Sequence, residues 1–455
     1  MIEEFHRIKR LPPYVFAEVN RLKAAARARG ADIVDLGMGN PDMPTPPHIV
    51  DKLIETVAKP RTHRYSASKG IPGLRKAQAA YYQRRFGVQL DPETQVVATL
   101  GSKEGFANMA QAISAPGDVI LVPSPTYPIH EFGFIISGAA IRHIPMFGPM
   151  FGPMFGPTHG PMHGPVAPTA GPTVGPMVAR VAPIAAAQRS AAADWASEFL
   201  RAIERAVKHS IPKPLAIVLN YPSNPTAMTV GLDFLTEVVL LARRLDLIIL
   251  SDLAYAEIYF DDHPPPSVLQ VPGALDITVE FTSLSKTYSM PGWRMGFAVG
   301  NERLIAALAR VKSYLDYGAF TPVQVAAAAA LNGPQACVDE IRRTYKCRRD
   351  CLVESFGRAG WEVPAPAASM FAWAPIPEAY REIGSVAFAK LLVEEADVAV
   401  SPGLGFGEYG EGFVRIALVE NEQRIRQAAR NIKKFLARPQ KSMHNVLSIA
   451  RKASG

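Results

Sequence analysis

A lysine, Lys286, stands in the stretch Phe281-Thr282-Ser283-Leu284-Ser285-Lys286-Thr287-Tyr288, and Arg294 follows eight residues later. The stretch begins with apolar-polar alternation, which predicts a buried strand, and then turns polar around the lysine. An amine at a strand end, with hydroxyls before it and a fixed cation after it, suits imine chemistry. The amine attacks an aldehyde, and the hydroxyls and guanidinium hold a phosphate. Ser-x-Ser-Lys strings also occur as plain surface turns, so the elements around the lysine must decide.

Those elements supply further candidates at strand ends. Residues 96–100 read as a strand, and Gly101-Ser102-Lys103-Glu104-Gly105 opens the helix behind it. A glycine turn running into a helix start gathers free N–H groups and a positive dipole end, which makes a phosphate cradle. The strand at 119–123 ends at Ser124-Pro125-Thr126-Tyr127, the strand at 215–219 leads to Asn224-Pro225-Thr226, and the strand at 247–250 leads to Asp252-Leu253-Ala254-Tyr255. In open parallel sheets, ligands collect outside the C-terminal strand ends. Strands alternating with helices predict a doubly wound α/β sheet.

Outside that sheet, Gly37-Met38-Gly39-Asn40-Pro41 forms a tight loop whose glycines permit close backbone approach, and Tyr65 sits in the polar loop Arg64-Tyr65-Ser66-Ala67-Ser68. A helical region at 301–356 leaves the sheet. Short strands near 369–374, 398–401 and 413–418 predict a second, smaller α+β domain. Arg415 lies in the last of them, where a guanidinium among apolar neighbours needs an anionic partner.

The 455 residues are 48% hydrophobic and 20% charged, which suits a globular enzyme subunit of two domains. The formal charge of +8 is dispersed, with no basic block or aromatic ladder, so nucleic-acid binding is not expected. Without a signal-like N-terminus or an apolar span long enough for a bilayer, a cytoplasmic protein with no membrane partner is expected. The three cysteines, Cys337, Cys347 and Cys351, fall in one late segment. Cys347 and Cys351 lie one helical turn apart and are too few for a metal site, so free thiols are expected and no metal.

From 147 to 190 the chain changes character, with Phe-Gly-Pro-Met repeating at period four before decaying into Ala, Pro and Val. Frequent proline removes helix and ladder hydrogen bonds, which predicts an extended or disordered spacer. His159, His163 and the nearby methionines leave soft-metal binding as the alternative. Asp194 reads as the N-cap of the helix that follows, through 209.

Taken in order, Gly37-x-Gly39-Asn40-Pro41, Tyr65, Gly101-Ser102-Lys103, Tyr127, Asn224-Pro225-Thr226, Asp252-x-x-Tyr255, Ser283-x-Ser285-Lys286, Arg294 and Arg415 resemble the class I and II aminotransferases. These are pyridoxal-phosphate enzymes of fold type I, and the likeness runs from 3 to 437 apart from the Gly-Pro stretch. Within that family the chain is similar to bacterial alanine (glutamate–pyruvate) aminotransferases. The likeness lies in Arg10-Leu11-Pro12-Pro13-Tyr14-Val15-Phe16, Lys312-Ser313-Tyr314-x-Asp316-Tyr317-Gly318 and Ser401-Pro402-Gly403-x-Gly405-Phe406-Gly407.

The resemblance implies roles for each residue. Lys286 forms the resting imine and carries the proton to and from the substrate α-carbon. Asp252 keeps the pyridine nitrogen protonated, Tyr255 and Asn224 bond the ring hydroxyl, and Tyr127 stacks on the ring. Gly101, Ser102, Lys103, Ser283 and Arg294 hold the phosphate, with Tyr65 arriving from the other subunit of a homodimer. Arg415, Asn224 and Gly39 receive the substrate α-carboxylate.

The implied reaction is transamination between L-alanine and 2-oxoglutarate. Alternatives are a diaminopimelate, aspartate or broad aliphatic specificity, or a lyase or synthase of the same fold. A regulator built on this fold carries a DNA-binding domain before it, for which the N-terminus is too short. The expected organisation is an arm and part of the small domain at 1–45, a large cofactor domain at 46–310 interrupted at 147–190, a small domain at 311–437 and a basic tail at 438–455. Two departures from the family pattern stand out: Ala227 where glycine often follows Asn-Pro-Thr, and the Gly-Pro stretch itself.

Overall fold

The computed structural model describes residues 5–12, 15–146 and 184–437. Its strands, in chain order, are β1 Val34–Asp35, β2 Val96–Thr99, β3 Val119–Ser124, β4 Ala140–Pro145, β5 Ala216–Asn220 and β6 Ile248–Asp252. They continue with β7 Thr278–Ser283, β8 Gly296–Gly300, β9 Phe371–Pro375, β10 Val398–Ala399, β11 Ser401–Pro402 and β12 Phe413–Ala417.

Seven of them form one sheet in the order β2-β8-β7-β6-β5-β3-β4, with β8 antiparallel to both neighbours and the others mutually parallel. The inner strands β3, β5 and β6 read as near-continuous apolar runs because both sheet faces are covered there, whereas β7 alternates and the edge strand β4 is partly exposed. Side chains alternate between the faces. Val97, Ile120, Val122, Val218 and Phe281 pack with Phe106, Phe134 and Leu308 on one side. Val96, Ala98, Leu121, Ile217 and Leu219 pack with Leu74, Phe199 and Leu235 on the other.

The register places the chemistry in one row. Asn220 pairs with Asp252 and Asp252 with Phe281, while Ser283 and Thr99 both pair with Gly296. The segments after β2, β3, β5, β6 and β7 therefore leave the sheet on the same side. That edge is where a doubly wound sheet binds ligands.

A smaller body is built from the antiparallel sheet β11-β12-β9, the parallel pair β1-β10, and the helices Val15–Ala28, Ala336–Arg358, Gly384–Ala396 and Glu422–Leu436. Its own core joins Val19, Ile33 and Val34 to Leu352, Phe388, Val414 and Ile432. The early residues thus pack with the C-terminal ones across most of the chain length.

Two expected boundaries move. The helices Glu302–Leu315 and Thr321–Asn332 belong to the large sheet's layers, through Ile305 and Leu308 on one face and Ala326, Ala327 and Ala330 on the other. The small body thus takes over within Ala336–Arg358 rather than at 311, because the alanine-rich face of 321–332 fits closely against helices Pro47–Val57 and Pro72–Phe86. Likewise the helix expected to start at Asp194 runs over Ile184–Lys208. Prolines stop at Pro183, and the Ala-rich run after it has high helix propensity, so no cap is needed at Asp194. Apart from 184–190, the Gly-Pro stretch, with His159 and His163, lies outside the described residues, as does the tail at 438–455.

Candidate active site

β7 runs without a break into a four-residue helix, Leu284–Thr287, whose start is capped by Ser283: its Oγ accepts the Ser285 N–H at 3.2 Å. That turn projects Lys286 into a cavity of about 580 Å³. Its amine donates to the Gly39 carbonyl at 3.3 Å. Burial, and after it the positive charges of Arg415 and Arg294, pull the Lys286 amine down from 10.5 to about 8.

Asp252 ends β6 on the floor of the same cavity. One carboxylate oxygen takes the Ala254 N–H at 3.1 Å and the other lies 2.8 Å from His130 Nε2. The far ring nitrogen of His130 is 2.9 Å from Thr126 Oγ1. With Nε2–H donating to the carboxylate, Nδ1 is left to pair with the Thr126 hydroxyl. Asn220 secures the strand end from the side, donating to the Asp252 carbonyl at 2.9 Å while its Oδ1 accepts the Asn224 N–H at 2.8 Å. Tyr255 is buried, which pushes its phenol well above the ordinary range, and meets Phe371 edge-on at 5.7 Å.

Opposite the amine, Arg415 enters from β12, directly across from Ser401. Its Nη1 donates to Asn224 Oδ1 at 2.9 Å, and Nη2 donates to the Gly37 carbonyl at 3.1 Å and to Ser401 Oγ at 3.3 Å. The rings of Phe371 and Phe406 lie 4.1 and 4.7 Å from the guanidinium carbon. These contacts orient a buried guanidinium whose planar fork has the shape of a carboxylate's partner. Glycine is required at position 39, where a Cβ would fall 2.6 Å from the Phe371 ring.

The remaining wall is polar. Ser102 begins the helix Ser102–Ile113, preceded by Gly101 at φ 85°, and Arg294, itself at φ 52°, donates to the Leu100 carbonyl at 3.1 Å. A side chain at Gly101 would collide with that guanidinium. Ser102, Lys103, Ser283, Ser285 and Arg294 all face the cavity. A helix start, three hydroxyls and two cations suit a phosphate dianion.

Pyridoxal phosphate needs an amine for its aldehyde, a carboxylate for its ring nitrogen and donors for its phosphate. Lys286, Asp252 and the Ser102–Arg294 wall meet these three needs around one cavity, with Tyr127 on its side. Of the residues expected from sequence, Gly39, Ser102, Lys103, Tyr127, Asn224, Asp252, Tyr255, Ser283, Lys286, Arg294 and Arg415 line it; Gly101 is not among the lining residues but lies close against Arg294. Tyr65 does not. It is 87% exposed, with its ring 4.7 Å from that of Tyr317.

Sequence reading missed His130, Asn220 and Ser401 as parts of the site. His130 lies one helical turn beyond Thr126, on the helix Ile129–Ser137 that Tyr127-Pro128 introduces, which is the signal that would have marked it. Ala227 adopts φ 58°, the left-handed conformation that glycine supplies elsewhere, and its N–H still closes the turn on the Ser223 carbonyl at 2.9 Å.

The family model for aminotransferase class I and II matches residues 31–149 and 187–432, passing over 150–186. The chain is 64% identical to the putative aminotransferase AatC of Rhizobium meliloti, over 98% of this chain and 99% of that protein. To the glutamate-pyruvate aminotransferase AlaC of Escherichia coli it is 49% identical, over 94% and 93%. An LL-diaminopimelate aminotransferase of Moorella thermoacetica is 40% identical, over 96% and 99%.

Proposed function

The chain belongs to the class I and II aminotransferases, which depend on pyridoxal phosphate, and from that premise we propose that it moves an amino group between L-alanine and 2-oxoglutarate. The reaction class is carried by a lysine amine with a pKa near 8 that shares one cavity with Asp252 and Arg415. The choice of alanine is supported by the 49% identity to a glutamate-pyruvate aminotransferase.

When bound, pyridoxal phosphate supplies an aldehyde for amines and a protonated ring that withdraws electrons from the substrate α-carbon. Arg415 binds the substrate α-carboxylate through its planar fork, with Asn224 and the Gly39 segment beside it. Asp252 holds a proton at the ring nitrogen, and His130 and Asn220 hold Asp252 in place. Lys286, lowered to about 8 and so partly neutral at that pH, would be the base placed to take a proton from the substrate α-carbon. Tyr255 and Asn224 would hold the ring hydroxyl, and Tyr127 would lie against the ring, all three lining the cavity. Ser102, Lys103, Ser283 and Arg294 hold the phosphate, completed by Tyr65 of a second copy in a homodimer. Phe16, Phe371 and Phe406 exclude water as the small body closes on the large one. The enzyme is read as cytoplasmic; among the described residues no helix is long and apolar enough to cross a membrane.

The test is the visible spectrum of the purified holoenzyme with L-alanine and no oxo acid. Loss of the cofactor band with one pyruvate released per site, and its return on adding 2-oxoglutarate, is the expected result. A band that ignores alanine and responds to LL-diaminopimelate would move the specificity to that of the 40% identical relative. A protein that takes up no cofactor would remove the whole assignment.

A further inference from the structure

Lys312 is the most deeply buried lysine near the cavity that the chemistry above does not use. Its side chain is 0% exposed on the helix Glu302–Leu315, and its amine lies 2.9 Å from Glu104 Oε1 and 2.9 Å from Asp316 Oδ2. A buried ammonium of this kind persists only when paired on more than one side.

Each partner leads somewhere. Glu104 stands in the first turn of the helix that begins at Ser102, and its other oxygen accepts the Leu100 N–H at 2.9 Å. The Leu100 carbonyl in turn accepts from Arg294. Glu104 thus holds Leu100, whose carbonyl receives the Arg294 guanidinium and which leads into the Gly101 turn. It is also a carboxylate set directly behind a seat built for an anion. On the other side, Asp316 takes the Gly318 N–H on Oδ1 at 2.6 Å, and its carbonyl accepts from Ser68 Oγ at 2.5 Å. Those two loops carry Tyr317 and Tyr65, whose rings meet at the surface.

We propose that Lys312 is a positioning residue for phosphate binding: it neutralises Glu104 behind the Ser102 turn and ties that turn to the loops bearing Tyr65 and Tyr317. This rests on the reading of the Ser102–Arg294 wall as the phosphate seat. Without the ammonium, which it shares with Asp316, Glu104 retains the Asn108 amide and the Leu100 N–H, neutral donors that do not cancel its charge toward an incoming dianion. Repulsion of that kind costs about tenfold or more in affinity. Pyridoxal without its phosphate does not meet it.

The experiment compares equilibrium binding of pyridoxal phosphate and of phosphate-free pyridoxal to the full-length apoprotein, read by absorbance. Lys312→Met is expected to weaken pyridoxal phosphate about tenfold or more while changing pyridoxal by less than about threefold. Lys312→Met/Glu104→Gln should restore the ratio of the two affinities, and Lys312→Arg should keep it. Equal weakening of both ligands, or no change in either, overturns the proposal by leaving Lys312 a purely structural pair. If Lys312→Met does not fold, Glu104→Gln alone carries the test. Its ratio should rise in favour of the phosphorylated ligand, and a ratio that stays or falls overturns the proposal. Arg294→Gln is the control for the seat itself. If that variant keeps full preference for the phosphorylated ligand, the seat is misassigned. If it loses preference and Lys312→Met does not, the seat stands and the role of Lys312 fails.

Discussion

At position 286 the surroundings set the nucleophile's charge. Burial first, and the cations at 415 and 294 next, bring the amine to about 8, so a usable share is neutral at physiological pH. Because the lowered value favours the neutral form, capture of cofactor by the apoenzyme should accelerate as pH rises through about 8 and level off above it. Each unit below should slow it by about tenfold. Stopped-flow absorbance across this range checks the sign, and an inflection near the ordinary 10.5 would remove the argument. Ala227 shows a different balance. Its left-handed backbone costs about 1–2 kcal/mol, but glycine there would lose a buried methyl worth about 0.8 kcal/mol and add unfolded-state freedom worth about 0.5–1 kcal/mol. Ala227→Gly should therefore leave unfolding free energy within about 1 kcal/mol of the parent, whereas Ala227→Val, β-branched at φ 58°, should lose about 2 kcal/mol or more. Denaturant melts of the two variants separate strain from packing.

Among elements, the strand-to-turn junctions matter most. β7 delivers Lys286 because its six residues are buried on both faces and cannot slip by one without moving apolar side chains to the wrong layer. The pairing of Ser401 with Arg415 does the same for the guanidinium. The helix Ile184–Lys208 rejoins the large body through Trp195 and Phe199, stacked near Phe234 at 4.9 and 5.7 Å. Its anchor thus lies well after the Gly-Pro stretch, which the family model passes over. Replacing 150–183 with a short Gly-Ser linker should leave kcat and KM unchanged. Steady-state kinetics of the shortened protein provide the check, and a fall in kcat/KM of tenfold or more, roughly 1.4 kcal/mol, would assign the stretch a catalytic part.

For the molecule as a whole, the site is a seam. Lys286, Asp252 and the phosphate wall belong to the seven-stranded sheet, while Arg415, Gly39 and Phe371 come with the small body. Were the two bodies to move relative to one another, the Arg415 side of the cavity would shift while Lys286 and Asp252 stayed in register. Tyr65 stands away from the seam of its own chain. If it completes the neighbouring phosphate seat, Lys286→Ala and Tyr65→Ala variants should each be impaired alone. After unfolding and refolding as a mixture they should recover about a quarter of wild-type activity, since a two-fold dimer offers one intact site in each mixed pair. Mixtures no better than the separate variants would place Tyr65 outside catalysis.

The reactive set is legible in the sequence because β5 and β6 are short apolar runs and β7 alternates, and a polar residue just past each strand falls on the ligand edge. That logic locates Asn224, Asp252 and Lys286 with no knowledge of distance. It reads the doubly wound sheet as well, since period-two strands alternating with helices allow few other arrangements. What sequence cannot show is who faces whom. The contact of His130 with Asp252 joins residues 122 apart, and the clasp of Arg415 on Gly37 joins residues 378 apart. Neither pairing has a local signature, since a residue's place on its own helix or strand does not say which distant element will face it, and desolvation makes an unpaired group costly there. The reach of the alanine-rich helix 321–332 into the large body, and the fully buried Lys312, are settled the same way. Both depend on which surfaces fit once the chain is compact, and only the tertiary structure decides that.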